Sequence, residues 1–194
     1  MGSRKCGEVV LVARPKEKIN TLIGHEELQK RIKELANEIS RDYEGRDLLL
    51  IGVLKGSFMF LADLIRELDY TVAVDFMGTY SYGASTQSSG EVRITKDLEQ
   101  SVSGRHVLLV EDIVDTGLTL RYLVDTLRAR QPASLKVCAL LDKPARRRAR
   151  IGLDYYGFII PNAFVVGYGL DYQEKYRGLP YVGVLEEEEQ QKTE

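Results

Sequence analysis

The sequence predicts an α/β fold in which a mainly parallel sheet is flanked by helices. Residues 48–54, 106–110 and 135–141 are short, continuous apolar runs, which is typical of strands buried on both faces. The segments that separate these runs carry apolar residues at helical spacing. Buried strands that alternate with amphipathic helices are characteristic of proteins with a parallel central sheet.

Three helices are predicted from the spacing of their apolar residues. The first spans residues 21–45, and its apolar face comprises Leu28, Ile32, Leu35 and Ile39. The second follows Ser57, and its apolar face comprises Phe58, Leu61, Ile65 and Leu68. The third follows a loop at 111–118, and its apolar face comprises Leu120, Leu123, Val124 and Leu127. Each helix therefore has one face that can pack on the sheet.

The rest of the chain is predicted as further β segments, one long loop and two tails. The β segments are 71–80, 91–96, 155–160, 164–170 and 181–185. Residues 81–91 are small and polar, which predicts a mobile loop of a length that is usually functional. A chain of 194 residues suits one domain with a substantial core. We expect that domain over residues 9–185, between a flexible tail at 1–8 and a disordered acidic tail at 186–194.

The composition argues against several classes of function. The formal net charge is −2, so the molecule as a whole has no field that would attract nucleic acid or an anionic membrane. No apolar run approaches the length of a membrane span. The two cysteines, Cys6 and Cys138, lack the spacing of a disulfide framework, which fits a cytoplasmic protein. The basic run at 146–150 has no interleaved aromatic residues, so we expect a solvated loop rather than an RNA contact.

The candidate site lies where the predicted parallel strands end. Ligands of open α/β sheets bind beyond the carboxyl ends of the strands, which singles out residues 55–56, 111–119 and 142–143. Glu111 and Asp112 can accept hydrogen bonds from neighbouring ribose hydroxyls or help to hold a divalent cation. The small residues at 115–119 let backbone N–H groups close around a phosphate at a helix N-terminus. The central segment therefore suits a sugar phosphate.

Two other interpretations of this segment are open. Glu111 and Asp112 could be a solvated strand end, with Asp115 and Thr116 acting as a helix cap. Asp115, Thr116 and Gly117 also form the triplet of the aspartic proteases. The helical spacing that follows at once argues against the β-rich setting of that motif.

The segment resembles the phosphoribosyl pyrophosphate signature of the type I phosphoribosyltransferases, in which an apolar strand leads into two acidic residues and a small-residue phosphate loop. Residues 54–57 look like the pyrophosphate loop of that family, and residues 81–83 look like the start of its mobile catalytic loop. Residues 141–144, 164–171 and 174–177 are similar to the hypoxanthine–guanine branch in its bacterial form. The likeness runs from about residue 9 to residue 185.

This resemblance implies a Rossmann-like fold with a small hood built from the N- and C-terminal segments. It implies transfer of the ribose phosphate of phosphoribosyl pyrophosphate to a 6-oxopurine, with Mg²⁺ as cofactor and a homodimer or homotetramer as the assembly. The implied substrate-binding residues are Lys55, Gly56, Ser81, Tyr82, Glu111, Asp112, Asp115, Thr116, Gly117, Leu118, Thr119, Lys143, Phe164, Val165, Asp171 and Arg177.

The resemblance also implies a role for each part of this set. Glu111 and Asp112 would hold the ribose hydroxyls, and residues 115–119 the 5′-phosphate. The implied catalytic residues are Asp115 as a base at purine N7, Lys143 as a donor to the 6-oxo group, and Arg177 as a pyrophosphate contact. Lys55 and Gly56 would also bind pyrophosphate, through a backbone that the family often holds in a cis peptide. Phe164 would stack on the base, the Val165 backbone would meet its edge, and the implied Mg²⁺ ligands are Glu111, Asp112 and Asp171.

Alternatives stand beside this interpretation. Taken alone, Lys143 could be a solvated lysine, Phe164 a core residue, and Asp171 with Arg177 a surface ion pair. The chain could be a nucleotide- or RNA-binding regulator with the same fold, although such a regulator would be expected to lose Asp115 or Lys143. It could also act on xanthine or on a pyrimidine.

Overall fold

The computed structural model describes residues 18–81 and 92–186. In chain order the elements are β1 (Ile19–Ile23), α1 (His25–Asp42), β2 (Leu48–Leu54), α2 (Phe58–Glu67), β3 (Ala73–Ser81), β4 (Val92–Lys96), β5 (His106–Val114), α3 (Leu118–Ala129), β6 (Ser134–Asp142), a 3₁₀ turn (Pro144–Arg146), β7 (Tyr155–Ile159), β8 (Val165–Val166) and β9 (Val182–Leu185). The tail predicted at 1–8 falls outside these residues, as do the loop predicted at 81–91, apart from residue 81, and the tail predicted at 186–194, apart from residue 186.

The predicted mainly parallel sheet is confirmed. Its six strands lie in the order β4-β3-β2-β5-β6-β7. Four neighbouring pairs are parallel, and only β4 runs antiparallel to its partner β3. The central strands β2, β5 and β6 are the apolar runs that the sequence singled out, and their carboxyl ends meet at one edge of the sheet.

Helices cover both faces of this sheet because successive strand residues point to opposite sides. Leu48 and Leu50 of β2 belong to the core shared with α1 and α2, whereas Leu49 and Ile51 belong to the core shared with α3. The predicted apolar faces of α1 and α3 are fully buried in these two layers. No helix within the described residues has the length and apolar character needed to cross a membrane.

A separate three-stranded sheet forms the small hood that the resemblance implied. Its strands lie in the order β1-β9-β8, and both pairings are antiparallel. This arrangement corrects the start of the first predicted helix: residues 21–23 belong to β1, because their backbone pairs with residues 182–183 near the other end of the chain. Helix α1 begins at His25 instead.

Two further differences from the predicted boundaries lie near the candidate site. Strand β5 runs on to Val114 and not only to residue 110, because Ile113 and Val114 keep pairing with Leu141 and Asp142 of β6. Residues 164–170 form a strand only at Val165–Val166. The chain then turns sharply, since Gly167, Tyr168 and Gly169 all have positive φ angles. Both differences reshape the segments that carry the candidate site.

Candidate active site

The three predicted loops line two adjoining cavities at the carboxyl edge of the sheet. The larger has a volume of about 630 Å³, and the residues that line it include Lys55, Gly56, Glu111, Asp112, Thr119, Asp171, Glu174 and Arg177. The smaller has a volume of about 290 Å³, and the residues that line it include Asp112, Asp115, Lys143, Arg146, Phe164, Val165 and Asp171. Asp112, Ile113 and Asp171 border both cavities, so a ligand in one lies beside a ligand in the other.

Two glycines allow neighbouring segments at the larger cavity to approach each other closely. A Cβ atom on Gly56 would lie 1.6 Å from Oδ2 of Asp112, and one on Gly169 would lie 2.0 Å from the carbonyl oxygen of Gly56. Any side chain at either position would therefore collide with its neighbour. The peptide bond between Leu54 and Lys55 is cis, as the family resemblance implied.

Cationic side chains of this cavity are held by carboxylates of one short loop. Nη2 of Arg177 lies 2.7 Å from Oδ1 of Asp171, and Nη1 donates to the carbonyl oxygen of Gly169 at 2.8 Å. Nζ of Lys55 donates to Oε2 of Glu174 at 2.8 Å, and Arg177 also reaches the other oxygen of Glu174 at 3.4 Å. Glu174 thus bridges the two cations that were predicted to meet pyrophosphate.

Hydrogen bonds to α1 and α2 anchor the turn that carries these carboxylates. The hydroxyl of the buried Tyr168 donates to Asp63 on α2, and the side-chain amide of Gln29 on α1 donates to the same carboxylate. The backbone N–H of Glu174 donates to Oδ2 of Asp171 at 2.8 Å. These contacts connect α1 and α2 to the turn that carries Asp171 and Glu174.

Glu111 and Asp112 do not form the solvated strand end that was one alternative. Glu111 is only 6% exposed, and burial, with a smaller effect from neighbouring Asp112, raises the pKa of its carboxyl well above the ordinary value. Burial also raises the pKa of Asp112 to about 6, although its side chain accepts a 2.8 Å hydrogen bond from the backbone of Ile113. Both carboxylates are therefore poor in partners for their charge.

The predicted phosphate loop lies at the start of α3. Gly117 has a φ of +78°, and Leu118 is the first residue of the helix, so N–H groups of the first turn point out of it. A small cavity of about 70 Å³ opens beside residues 115–117, Thr119 and Glu111. The hydroxyl of Thr116 accepts a 3.4 Å hydrogen bond from the backbone N–H of Leu118, so the cap interpretation holds in part for Thr116. The carboxylate of Asp115 instead lies beside Arg146.

The smaller cavity contains the residues expected to meet a base. Lys143 is 5% exposed, and its Nζ donates to the carbonyl oxygen of Ala163 at 2.6 Å. Burial lowers the pKa of this lysine, against the opposing effect of Asp115. Phe164 is 51% exposed, with its ring edge-to-face on Tyr172 at 5.6 Å, while Val165 is buried. Lys143 is thus no solvated lysine, and Phe164 no core residue.

The basic run at 146–150 was expected to be a solvated loop, and Arg146, Arg148 and Arg150 are exposed, but the run also makes contacts with the site that were not predicted. Nε of Arg146 lies 3.1 Å from Oδ1 of Asp115, and Arg147 forms an ion pair with Asp142. The backbone N–H groups of Arg148 and Ala149 donate to the carbonyl oxygen of Thr116. The run therefore packs against the phosphate loop.

Sequence reasoning missed Arg146 and Glu174 as residues of the site. The signal that could have found Arg146 is its position three residues after Lys143, in a loop at a strand's carboxyl end. Ser81 ends β3, and Tyr82 lies outside the described residues. Within residues 18–81 and 92–186, no three His, Cys, Asp or Glu side chains are grouped closely enough to hold a metal by themselves. Glu111, Asp112 and Asp171 nevertheless line one cavity.

Comparison with known proteins places this geometry in one family. Residues 20–173 match the model of the phosphoribosyl transferase domain. A hypoxanthine-guanine phosphoribosyltransferase of Bacillus subtilis is 56% identical over 164 residues, which are 84% of this chain and 91% of that protein. A bifunctional protein TilS/HprT of Listeria innocua is 54% identical over 167 residues, 86% of this chain; the match covers 26% of that protein, so this chain spans about a quarter of its length.

The crystal structure of a hypoxanthine phosphoribosyltransferase from Staphylococcus aureus superimposes with a TM-score of 0.83. The two are 47% identical, and the superposition covers 86% of this chain and 91% of that one. The chain therefore belongs to the phosphoribosyltransferase family.

Proposed function

We propose that this chain transfers the 5-phosphoribosyl group of phosphoribosyl pyrophosphate to a 6-oxopurine, hypoxanthine or guanine or both, in purine salvage. The products are IMP or GMP and pyrophosphate. The observation that carries this proposal is the pair of adjoining cavities. One has cations and carboxylates suited to a pyrophosphorylated sugar, and the other has a buried lysine, an exposed aromatic ring and a carboxylate suited to a purine.

In the larger cavity, Lys55 and Arg177 hold the pyrophosphate and stabilise its negative charge as it leaves. The backbone of Gly56 approaches the same group, because no Cβ atom stands in the way. Glu111 and Asp112 accept hydrogen bonds from the ribose hydroxyls. The family resemblance also implies substrate contacts for Ser81 and Tyr82. Residues 115–119, including Thr116, Leu118 and Thr119, bind the 5′-phosphate with the N-terminus of α3.

Mg²⁺ fits this cavity by the chemistry of its donors. Glu111, Asp112 and Asp171 supply only oxygen, which a hard cation prefers. An ion bound there would take its remaining ligands from the substrate and from water. When bound, Mg²⁺ neutralises charge on the pyrophosphate.

In the smaller cavity, Lys143 reads the 6-oxo group. Its ammonium has three donors, and one is used by the carbonyl oxygen of Ala163, so donors remain for the base. The 6-amino group of adenine is a hydrogen-bond donor, as is the Lys143 ammonium, so binding of adenine would be disfavoured. Phe164 stacks on the purine, and the Val165 backbone meets its edge.

Asp115 completes the reaction. The bond from the anomeric carbon to the pyrophosphate oxygen breaks, and a bond from the same carbon to N9 forms. The purine then carries an excess proton, which passes from N7 to the Asp115 carboxylate. A pyrimidine has no N7 to use this group. Both Asp115 and Lys143 are in place, which favours an enzyme over a regulator of the same fold.

Three further parts of the proposal concern the molecule as a whole. The catalytic unit is a single domain over residues 9–185. It assembles as a homodimer or homotetramer. It is located in the cytoplasm. Its substrates are small molecules, and it binds neither nucleic acid nor a membrane.

The test is product analysis with phosphoribosyl pyrophosphate, Mg²⁺ and each of hypoxanthine, guanine, xanthine, adenine, uracil and orotate. We expect nucleotide from hypoxanthine or guanine and little from adenine, uracil or orotate. Lys143→Ala should lose this activity while the KM for phosphoribosyl pyrophosphate changes little, with a loss in kcat/KM for the base of roughly 10-fold or more. Nucleotide only from xanthine, a pyrimidine or adenine, or from no base at all, would refute the proposal.

A further inference from the structure

The Asp115 carboxylate has an unusual position for a group expected to accept a proton. Its Oδ1 atom is shielded from solvent and makes no hydrogen bond of good geometry within the described residues. The charged group that approaches it is the guanidinium of Arg146, with Nε at 3.1 Å from Oδ1. Arg146 lines the smaller cavity together with Asp115 and Lys143.

The backbone around Arg146 is fixed more firmly than an exposed basic loop requires. The N–H groups of Arg146 and Arg147 donate to the carbonyl oxygens of Lys143 and Pro144, which closes the 3₁₀ turn. Next to it, Arg147 pairs with Asp142, and its side chain lies over Gly117. The turn is thereby held against the phosphate loop from which Asp115 projects.

We propose that Arg146 is a positioning residue for Asp115: its guanidinium, with Nε 3.1 Å from Oδ1, attracts this oxygen towards the 3₁₀ turn, so that the second oxygen faces the purine. This inference rests on the proposed function. An ion pair with both side chains partly exposed adds little to folding stability. The ion pair therefore acts on the orientation of the Asp115 carboxylate. Arg146 affects the reaction through Asp115 and does not contact the substrate itself.

The test is a double-mutant cycle on nucleotide formation, with the full-length chain, saturating phosphoribosyl pyrophosphate and hypoxanthine. Arg146→Ala should lower kcat roughly tenfold and leave the KM for phosphoribosyl pyrophosphate nearly unchanged. In an Asp115→Asn background the same change should cost less than about twofold, because the group it orients is gone. Arg146→Lys, which keeps the charge but not the planar fork, should recover only part of the rate.

Arg150→Ala is the matched control, since it removes the same charge from an exposed side chain of the same loop. It should behave like the unmodified chain, and melting temperatures of all variants should agree within a few degrees. Equal rate losses for Arg146→Ala in both backgrounds, a raised KM for phosphoribosyl pyrophosphate alone, or equal effects of Arg146→Ala and Arg150→Ala would each overturn the inference. Absence of nucleotide formation by the unmodified chain would instead reject the proposed function on which it depends.

Discussion

At the scale of single residues, the site consists of charged groups whose surroundings oppose their charge. Burial raises the pKa of the Glu111 and Asp112 carboxyls and lowers that of the Lys143 ammonium. Groups with such shifts are concentrated at functional sites, because a ligand supplies the partners that the free protein lacks. The free protein therefore gives up stability to keep these residues in place.

Glu111→Gln should stabilise the free protein at neutral pH. Because the folded pKa of Glu111 lies above the unfolded one, its contribution to stability is complete below the unfolded pKa and is lost as the pH rises through the folded pKa. Glutamine resembles the protonated form, so the melting temperature should rise by a few degrees at pH 8 and by much less at pH 4.

Thermal unfolding of both proteins at the two pH values checks this prediction. Glu44→Gln is the control, since it removes the same charge from an exposed residue far from the cavities. A lower melting temperature for Glu111→Gln at pH 8 would mean that the carboxylate has a stabilising partner in the folded chain.

The motifs that carry the family resemblance named most of the residues that line the two cavities, and the roles of these residues stay predictions. Asp115, Lys143 and Arg177 were named from motifs, and the structure brings them to two adjoining cavities. Burial was not predictable in the same way, because it depends on which segments cover a residue. Phe164 is exposed and Lys143 buried, the reverse of what each residue type favours.

At the scale of elements, the loops at the carboxyl ends of the strands define the chemistry. Glu174 lies in the turn between Asp171 and Arg177 and contacts both Lys55 and Arg177. Lys55, as the largest cause, and then Arg177 lower the pKa of the Glu174 carboxyl. In the free chain the Glu174 carboxylate forms ion pairs with Lys55 and Arg177, the two cations that we expect to bind pyrophosphate.

Glu174→Gln should therefore strengthen binding of pyrophosphate and phosphoribosyl pyrophosphate. Removal of the competing anion frees Lys55 and Arg177, and the gain should be about two- to fivefold because the ion pair is exposed. Titration of Mg²⁺-pyrophosphate into the two proteins measures it, with Glu44→Gln again as the control for charge. An affinity that is unchanged or weaker would show that Glu174 supports the site and does not compete with its ligand.

Element boundaries were predictable where a continuous apolar run forms the whole strand, and not where polar residues extend the strand beyond that run. The buried runs of β2 and β6 were placed within a residue or so of their observed ends. Strand β5 was cut short because Glu111 and Asp112 look like a loop, whereas their backbone keeps its partners in β6. The basic run appeared solvated because its contact with Asp115 arises only when β5 and β6 lie side by side.

At the scale of the whole molecule, the fold brings distant parts of the sequence to one site. The hood depends on pairing of β1 with β9, between residues 19–23 and 182–185. Local periodicity cannot predict a contact across that distance, and the hood was expected only from the family resemblance. Strand β8, which carries Val165, is held in place by β9, so both ends of the chain shape the smaller cavity.

Removal of divalent cations should abolish turnover without unfolding the protein. The proposed ligands Glu111, Asp112 and Asp171 line the larger cavity, so we expect the ion to bind together with the pyrophosphorylated substrate. A chelator should eliminate nucleotide formation, excess Mg²⁺ should restore it, and the melting temperature of the free protein should stay within about 1 °C, since a ligand stabilises only in proportion to its binding. Full turnover in metal-free buffer, or unfolding by the chelator, would contradict the assignment of Mg²⁺ as a substrate-linked ion.

Asp115 is the residue on which the proposed mechanism depends most. Its backbone lies in the loop between β5 and α3, its side chain lines the smaller cavity beside Val165 of the hood, and we propose that its carboxylate accepts the N7 proton. The most direct test is the rate of nucleotide formation by Asp115→Asn, measured in both directions beside the affinity for phosphoribosyl pyrophosphate. We expect the forward and reverse rates to fall together by about 10²–10⁴-fold, with that affinity nearly unchanged. Near-normal turnover by Asp115→Asn would contradict the assignment of Asp115 as the base.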